Sequence, residues 1–199
     1  MQRDPEPLIS KLRQHAQRHS KTHYYQVRKQ HHLDDRIEIA ARFIYLNKTC
    51  YNGLWRVNSR GEFNVPLGSY KNPAICQENI IRACHRALQG VDIRLLDFRE
   101  LQAGQGDFVY FDPPYQPLDK TSFTRYAKDD FGAKEQEALR DLCLTLHEKG
   151  AKFMLSNSDT SSTLYDNPIF RIETVKAPRF VNSRADARGA VDELLIRNY

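Results

Sequence analysis

Asp112-Pro113-Pro114-Tyr115 puts a carboxylate, two stiff imino acids and an aromatic ring in four consecutive positions. The word directly follows an apolar, strand-like run, Phe108-Val109-Tyr110-Phe111. Such a set suits a flat, amine-bearing ring such as a nucleobase. The exocyclic amine of adenine is a poor nucleophile because its lone pair is delocalised into the ring. Two acceptors aimed at its two hydrogens favour the pyramidal geometry needed to attack an electrophilic carbon. Asp112 can supply one acceptor, and the backbone carbonyl of Pro113 the other. Paired prolines fix their own φ and restrict the residue before them, so the acceptors are held rigidly. Tyr115 can stack on a base swung out of a duplex. The plainer account is a tight strand-to-loop turn, since Asp-Pro is common in turns. Placement at the end of an apolar strand favours the site.

The elements needed to position this word are legible as an α/β pattern. A helix is expected over 77–88, burying Ile80, Ile81, Cys84 and Leu88 and stopping before Gly90. Val91 to Leu96 reads as a strand, followed by a Gly-containing turn at 104–106 and the strand 108–111. After a long polar loop, 116–133, comes the clearest helix, 134–148, with Leu139, Leu142, Cys143 and Leu146 inward and Gly150 beyond its end. Lys152 to Ser156 reads as another strand, and 169–176 and 191–197 as final strands, paired as a hairpin. Strand–helix–strand alternation argues a mostly parallel sheet. In such a sheet function sits beyond the strand C-termini. Asp97, Asp112 and the group Ser156, Asn157 and Asp159 all fall there.

The first third has a different character. Residues 1–72 carry thirteen Lys/Arg against six Asp/Glu, whereas 73–199 carry seventeen against nineteen. That asymmetry suggests a polyanionic partner for the N-terminal part. Leu8, Ile9 and Leu12 mark a short helix. Asp34 or Asp35 caps a helix running to about Asn47, with Ile37, Ala40, Ala41, Ile44 and Tyr45 as its apolar stripe. Residues 51–66 are dense in Asn, Gly and Arg with interleaved aromatics, and read as a long loop or irregular hairpin rather than core. The expected division is a recognition part over 1–76 and a catalytic part over 77–199.

Several further words in one order carry a family resemblance. They are Phe43-Ile44-Tyr45-Leu46-Asn47, Tyr51-Asn52-Gly53-Leu54, Gly61-Glu62-Phe63-Asn64-Val65-Pro66, Asp107 through Pro117, Leu155 through Thr160, and Val191-Asp192-Glu193-Leu194-Leu195. Together they resemble the DNA adenine methylase family, in the class whose recognition region precedes the Asp-Pro-Pro-Tyr motif. The resemblance implies a Rossmann-like, S-adenosylmethionine-dependent methyltransferase sheet with an N-terminal, mostly helical DNA-recognition subdomain and a β-hairpin. It implies methyl transfer to adenine in double-stranded DNA, often within GATC. Asp112, Pro113, Pro114 and Tyr115 match the family's catalytic motif, with Phe111, Asp112 and Asp97 on the cofactor side. Tyr51, Asn52, Leu54, Arg56 and Pro66 match its DNA-reading hairpin. Tyr51 would insert beside the displaced base and Arg56 would read guanine, whose paired acceptors suit a guanidinium. Leu54 and Pro66 would meet thymine methyl groups. Asn58 and Arg60 would contact phosphate, and Trp55 would pack beneath the hairpin. Ser122 and Tyr126 lie in the loop expected near the flipped base.

One expected part is missing. A complete member carries a glycine-rich strand-to-helix turn, where backbone N–H groups approach the cofactor's amino-acid end. No such pattern occurs among these residues, so the cofactor pocket is expected to be incomplete. A separate chain could supply the segment. Otherwise the chain is a truncated or decayed copy, acting at most as a DNA-binding module. The sheet would then expose an apolar edge. His15, His19 and His23 are four apart but lack the pattern of a metal site. Four dispersed cysteines suggest core thiols in a reducing cytoplasm. No apolar run reaches membrane-spanning length.

Overall fold

The computed structural model describes residues 2–115, 131–178 and 190–199. They form two compact units, Met1–Ile93 and Arg94–Tyr199.

The first unit is helical. Helix α1 (Glu6–Arg18) starts beside Pro5, and Leu8, Ile9, Leu12 and His15 form its buried stripe. Helix α2 (Lys21–Arg28) begins at Ser20, whose hydroxyl accepts from the His23 N–H at 3.1 Å; Tyr24 and Val27 face inward. The basic N-terminal stretch therefore holds two helices, more order than its composition suggested. A few apolar residues at helical spacing suffice when each finds the same core. Helix α3 (Arg36–Thr49) starts where expected, with Asp35 accepting from the Glu38 N–H at 2.8 Å. Ala41, Tyr45 and Leu46 are its most buried positions. Helix α4 (Glu78–Ala87) is tied to α1 by Arg13 and Arg82, which bind Glu78 and Glu6. These pairs are exposed and fix register more than they add stability. Of the apolar residues expected inside α4 only Ile81 is buried; Ile80 is half exposed.

The second unit is a small α/β layer structure. Strand β1 (Phe108–Phe111) pairs in parallel with β2 (Lys152–Ser158), and helix α5 (Ala133–Glu148) lies between them in sequence. Strands β3 (Arg171–Pro178) and β4 (Ala190–Arg197) pair antiparallel, and β4 also pairs antiparallel with β2. The order is β1-β2-β4-β3. The sheet is thus mixed, with one parallel contact, rather than mostly parallel. Leu139, Cys143 and Leu146 of α5 bury against Phe153, Leu155, Leu194 and Ile196. Gly150 ends the helix at φ 77°, a conformation that a Cβ would strain.

Val91 to Leu96 is not a strand. Its residues pair with no strand among those described, and Ile93, Leu95 and Leu96 are exposed, Leu95 completely. Extended composition forms a strand only where a partner ladder accepts its hydrogen bonds. Strand β1 is an edge of the described sheet, with Phe108 and Tyr110 more than half exposed. The expectation of an exposed apolar edge therefore holds for the described residues.

Candidate functional site

In the first unit, Cys50–Leu67 is an irregular hairpin. Bridges at Cys50–Leu67 and Val57–Phe63 hold its two arms antiparallel. Tyr51 N–H donates to the Pro66 carbonyl at 2.9 Å, so the two ends of the expected DNA-reading segment meet. Asn52 adopts φ 52°, left-handed backbone that Asn tolerates better than most residues. Gly53 follows at φ 64°, and its carbonyl accepts from the Asn47 side chain. The hairpin is two-faced. Phe63 and Val65 join the helical core, and Trp55 sits between Phe43 and Phe63 with ring centroids 4.5 and 4.7 Å away. Part of a segment read as outside the core is thus core. Tyr51, Leu54, Arg56, Arg60 and Pro66 remain exposed.

Tyr24 and Arg28 of α2 both donate to the Val65 carbonyl, at 3.0 and 3.2 Å, and so pin the Pro66 arm. The tip is closed by Asn58. Its Oδ1 accepts from the N–H groups of Arg60 and Glu62, and its Nδ2 donates to the Glu62 carboxylate. Its polar atoms are engaged in shaping the turn. Arg60 pairs with Glu62 at 3.4 Å.

Elsewhere in the first unit, the three spaced histidines converge around Tyr45. His15 Nδ1 lies 3.0 Å from His23 Nε2, and His19 Nδ1 lies 2.9 Å from the Tyr45 hydroxyl. The His15 ring stacks on Tyr45 at 4.7 Å. Burial lowers the His15 pKa to about 4, helped by neighbouring His23, Lys11 and Arg18 and opposed by Glu38. No cluster able to hold a metal ion occurs among the described residues. All four cysteines carry free thiols.

In the second unit, Asp112 to Tyr115 leave the C-terminal end of β1, as expected. Tyr110 OH donates to Ser156 Oγ at 3.1 Å, and Ser156 Oγ in turn donates to Asp112 Oδ1 at 3.2 Å. Because β2 is parallel to β1 and Phe111 is level with Leu155, Ser156 arrives beside Asp112. Tyr115 OH donates to Glu193 of β4 at 3.3 Å, and burial pushes the phenol pKa up. Asp97, Phe98, Phe111, Asp112, Pro113 and Pro114 line one cavity of about 620 Å³. Asp97 caps a short 3-10 turn at Phe98–Glu100, and the Arg99 backbone N–H and guanidinium hold its carboxyl below the usual range. The three residues expected on the cofactor side are thus brought together. Ser122 and Tyr126 lie outside the described residues.

Sequence reasoning missed Glu193 as a partner of Tyr115, and Gln136. Gln136 is 2% exposed, and its Nε2 donates to the Pro114 carbonyl at 3.0 Å. A signal was present: 136, 139, 143 and 146 form one helical stripe, and a glutamine on an apolar stripe needs a partner.

Residues 1–180 match the model of the D12 class N6 adenine-specific DNA methyltransferases, and the chain belongs to that family. It is 45% identical to the Type II methyltransferase M.MjaIII of Methanocaldococcus jannaschii, across 90% of this chain and 65% of that protein. It is 39% identical to the Type II methyltransferase M1.LlaDCHI of Lactococcus lactis subsp. cremoris, across the whole chain and 74% of that protein. With the DNA adenine methylase of Vibrio cholerae it shares 37% identity, across 86% of this chain and 64% of that protein. The chain therefore spans about two thirds of the length of these relatives. No helix among the described residues is long and apolar enough to cross a membrane.

Proposed function

We propose that this chain carries the target-recognition and acceptor parts of a cytoplasmic DNA methyltransferase, which methylates the exocyclic amine of adenine in duplex DNA, at GATC. The observation that carries the reading is Asp112 at the end of β1, beside Ser156 and on the wall of the cavity that also holds Asp97 and Phe98. The Asp112 carboxylate accepts one amine hydrogen, the Pro113 carbonyl accepts the other, and Tyr115 stacks on the flipped base. Asp112 need not be a strong base, because the amine proton becomes acidic only after methyl transfer. Within the hairpin Arg56 reads guanine, Leu54 and Pro66 meet thymine methyls, and Tyr51 occupies the space beside the displaced base. Asn58 and Arg60 lie toward phosphate.

The residues present fit the nucleoside end of S-adenosylmethionine: a carboxylate at Asp97 for an exocyclic amine, and the rings of Phe98 and Phe111 for a flat base. When bound, the cofactor supplies the electrophilic methyl group. Its amino-acid end would be met by backbone N–H groups of a glycine-rich turn, a pattern that does not occur within residues 1–199. Apolar surface lies open on the outer side of β1 and at Ile93, Leu95 and Leu96.

A second reading is a DNA-binding module without catalysis of its own. Calorimetry with S-adenosylmethionine, with and without a GATC duplex, separates the two. Binding with transfer of labelled methyl to the duplex supports the enzyme. Duplex binding with no cofactor binding in either condition leaves the module.

A further inference from the structure

We propose that Gln136 and Asn157 form a polarised amide relay that positions the acceptor motif from behind. Neither residue is exposed beyond 2%. Gln136 Nε2 donates to the Pro114 carbonyl at 3.0 Å, Asn157 Nδ2 donates to Gln136 Oε1 at 3.0 Å, and the Ser158 N–H donates to Asn157 Oδ1 at 2.9 Å. The chain has only one sense. A backbone carbonyl can only accept, so Gln136 must turn its NH₂ to Pro114 and its oxygen to Asn157. A backbone N–H can only donate, so Asn157 must turn its oxygen to Ser158 and its NH₂ to Gln136. The two ends thus orient both amides without ambiguity. Buried amides left unpaired are costly, so the relay tolerates no other arrangement.

The relay's output is the direction of one peptide plane. The Pro114 carbonyl belongs to the Pro114–Tyr115 peptide, so holding it sets ψ of Pro114. The ring already fixes φ of Pro114. With both angles set, the Pro113 carbonyl on one side and Tyr115 on the other take fixed directions relative to β1. Gln136 and Asn157 touch no base in this scheme. They are positioning residues, and they link α5 and the end of β2 to the motif. The inference rests on the reading of Asp112 and Pro113 as acceptors for a flipped base.

The test uses the full chain and a GATC duplex with 2-aminopurine at the target adenine, whose fluorescence rises when the base leaves the stack. Wild type should bind and brighten. Gln136→Met should bind the duplex with unchanged Kd but lose about tenfold of the brightening, the scale of one buried hydrogen bond left unmade. Asn157→Asp should do the same although residue 157 does not contact the motif, because an acceptor there forces the Gln136 amide to flip. The double variant Gln136→Met, Asn157→Leu removes both polar partners. It leaves the Pro114 carbonyl and the Ser158 N–H without their side-chain partners, so it should melt below wild type yet remain folded at the assay temperature by circular dichroism, while brightening as poorly as the single variants. Full brightening in the double variant overturns the relay and leaves the base-receptor reading standing. A wild-type chain that binds the duplex but never brightens removes the base-receptor reading and the relay with it.

Discussion

Arg56 and Asn64 face each other across the hairpin, with Arg56 Nε 2.7 Å from Asn64 Oδ1. The Asn64 N–H also donates to the Arg56 carbonyl at 3.1 Å, so backbone and side chain join the same pair. One edge of the guanidinium is thereby held, and the outer hydrogens of its two terminal nitrogens form a fork. A guanine presents two acceptors to such a fork in the major groove.

Arg56→Ala should relax discrimination at one guanine by about 1–3 kcal/mol. Asn64→Ala should relax it less, and the double variant should be no worse than Arg56→Ala alone. Competition binding with duplexes altered one base pair at a time reads this directly. An equal loss on every sequence would put Arg56 on phosphate instead.

Asp112→Ala should abolish methyl transfer in any preparation that supports it, with duplex affinity nearly unchanged. Asp112 is exposed and, among the described residues, accepts from Ser156, so its removal disturbs little of the core. Transfer that survives this substitution would refute the catalytic role.

The helical unit should lose stability as pH falls from about 6.5 toward 4. His15 is held neutral in the fold with its pKa lowered to about 4, so the unfolded chain binds the proton first. Its contribution is full above the unfolded pKa and is lost as pH drops through the folded one. His23, lowered by burial and by Arg18, acts in the same sense. Thermal melts across this range should show the decline, and His15→Phe should flatten it.

Tyr24→Phe removes one of two donors on the Val65 carbonyl and leaves Arg28 in place. The expected cost is about 1 kcal/mol in chemical denaturation. Amide exchange should quicken in the arm carrying Asn64 to Pro66.

Leu95→Lys with Phe108→Lys should suppress concentration-dependent self-association in sedimentation velocity. Both side chains are exposed, and an apolar edge of this kind recruits other edges. Unchanged association would show that the edge is not what drives it.

Helix α3 and strand β1 were legible because each carries its own local signal. Asp35 caps the helix ahead of a periodic stripe, and an apolar run ends abruptly in Asp-Pro-Pro. Val91 to Leu96 misled for the converse reason: its residues favour a strand, but a strand also needs a neighbour. Phe63 and Val65 were hidden among Asn, Gly and Arg, and only the helices beneath them make them core. Gln136 was legible in principle from its place on a helical stripe, though its partner was not.

By itself the sequence determined one local feature in each unit: a carboxylate-proline-proline-tyrosine word after an apolar strand in the second, and a basic, aromatic segment in the first. Those features depend on residue type and short spacing, which the linear order states outright. Only the tertiary structure decided which groups meet across long separations. It set Ser156 beside Asp112, Glu193 against Tyr115, Asn64 against Arg56, and Gln136 with Asn157 behind Pro114. Such pairings follow from strand register and helix packing, which are settled by burial of the whole core rather than by any local word.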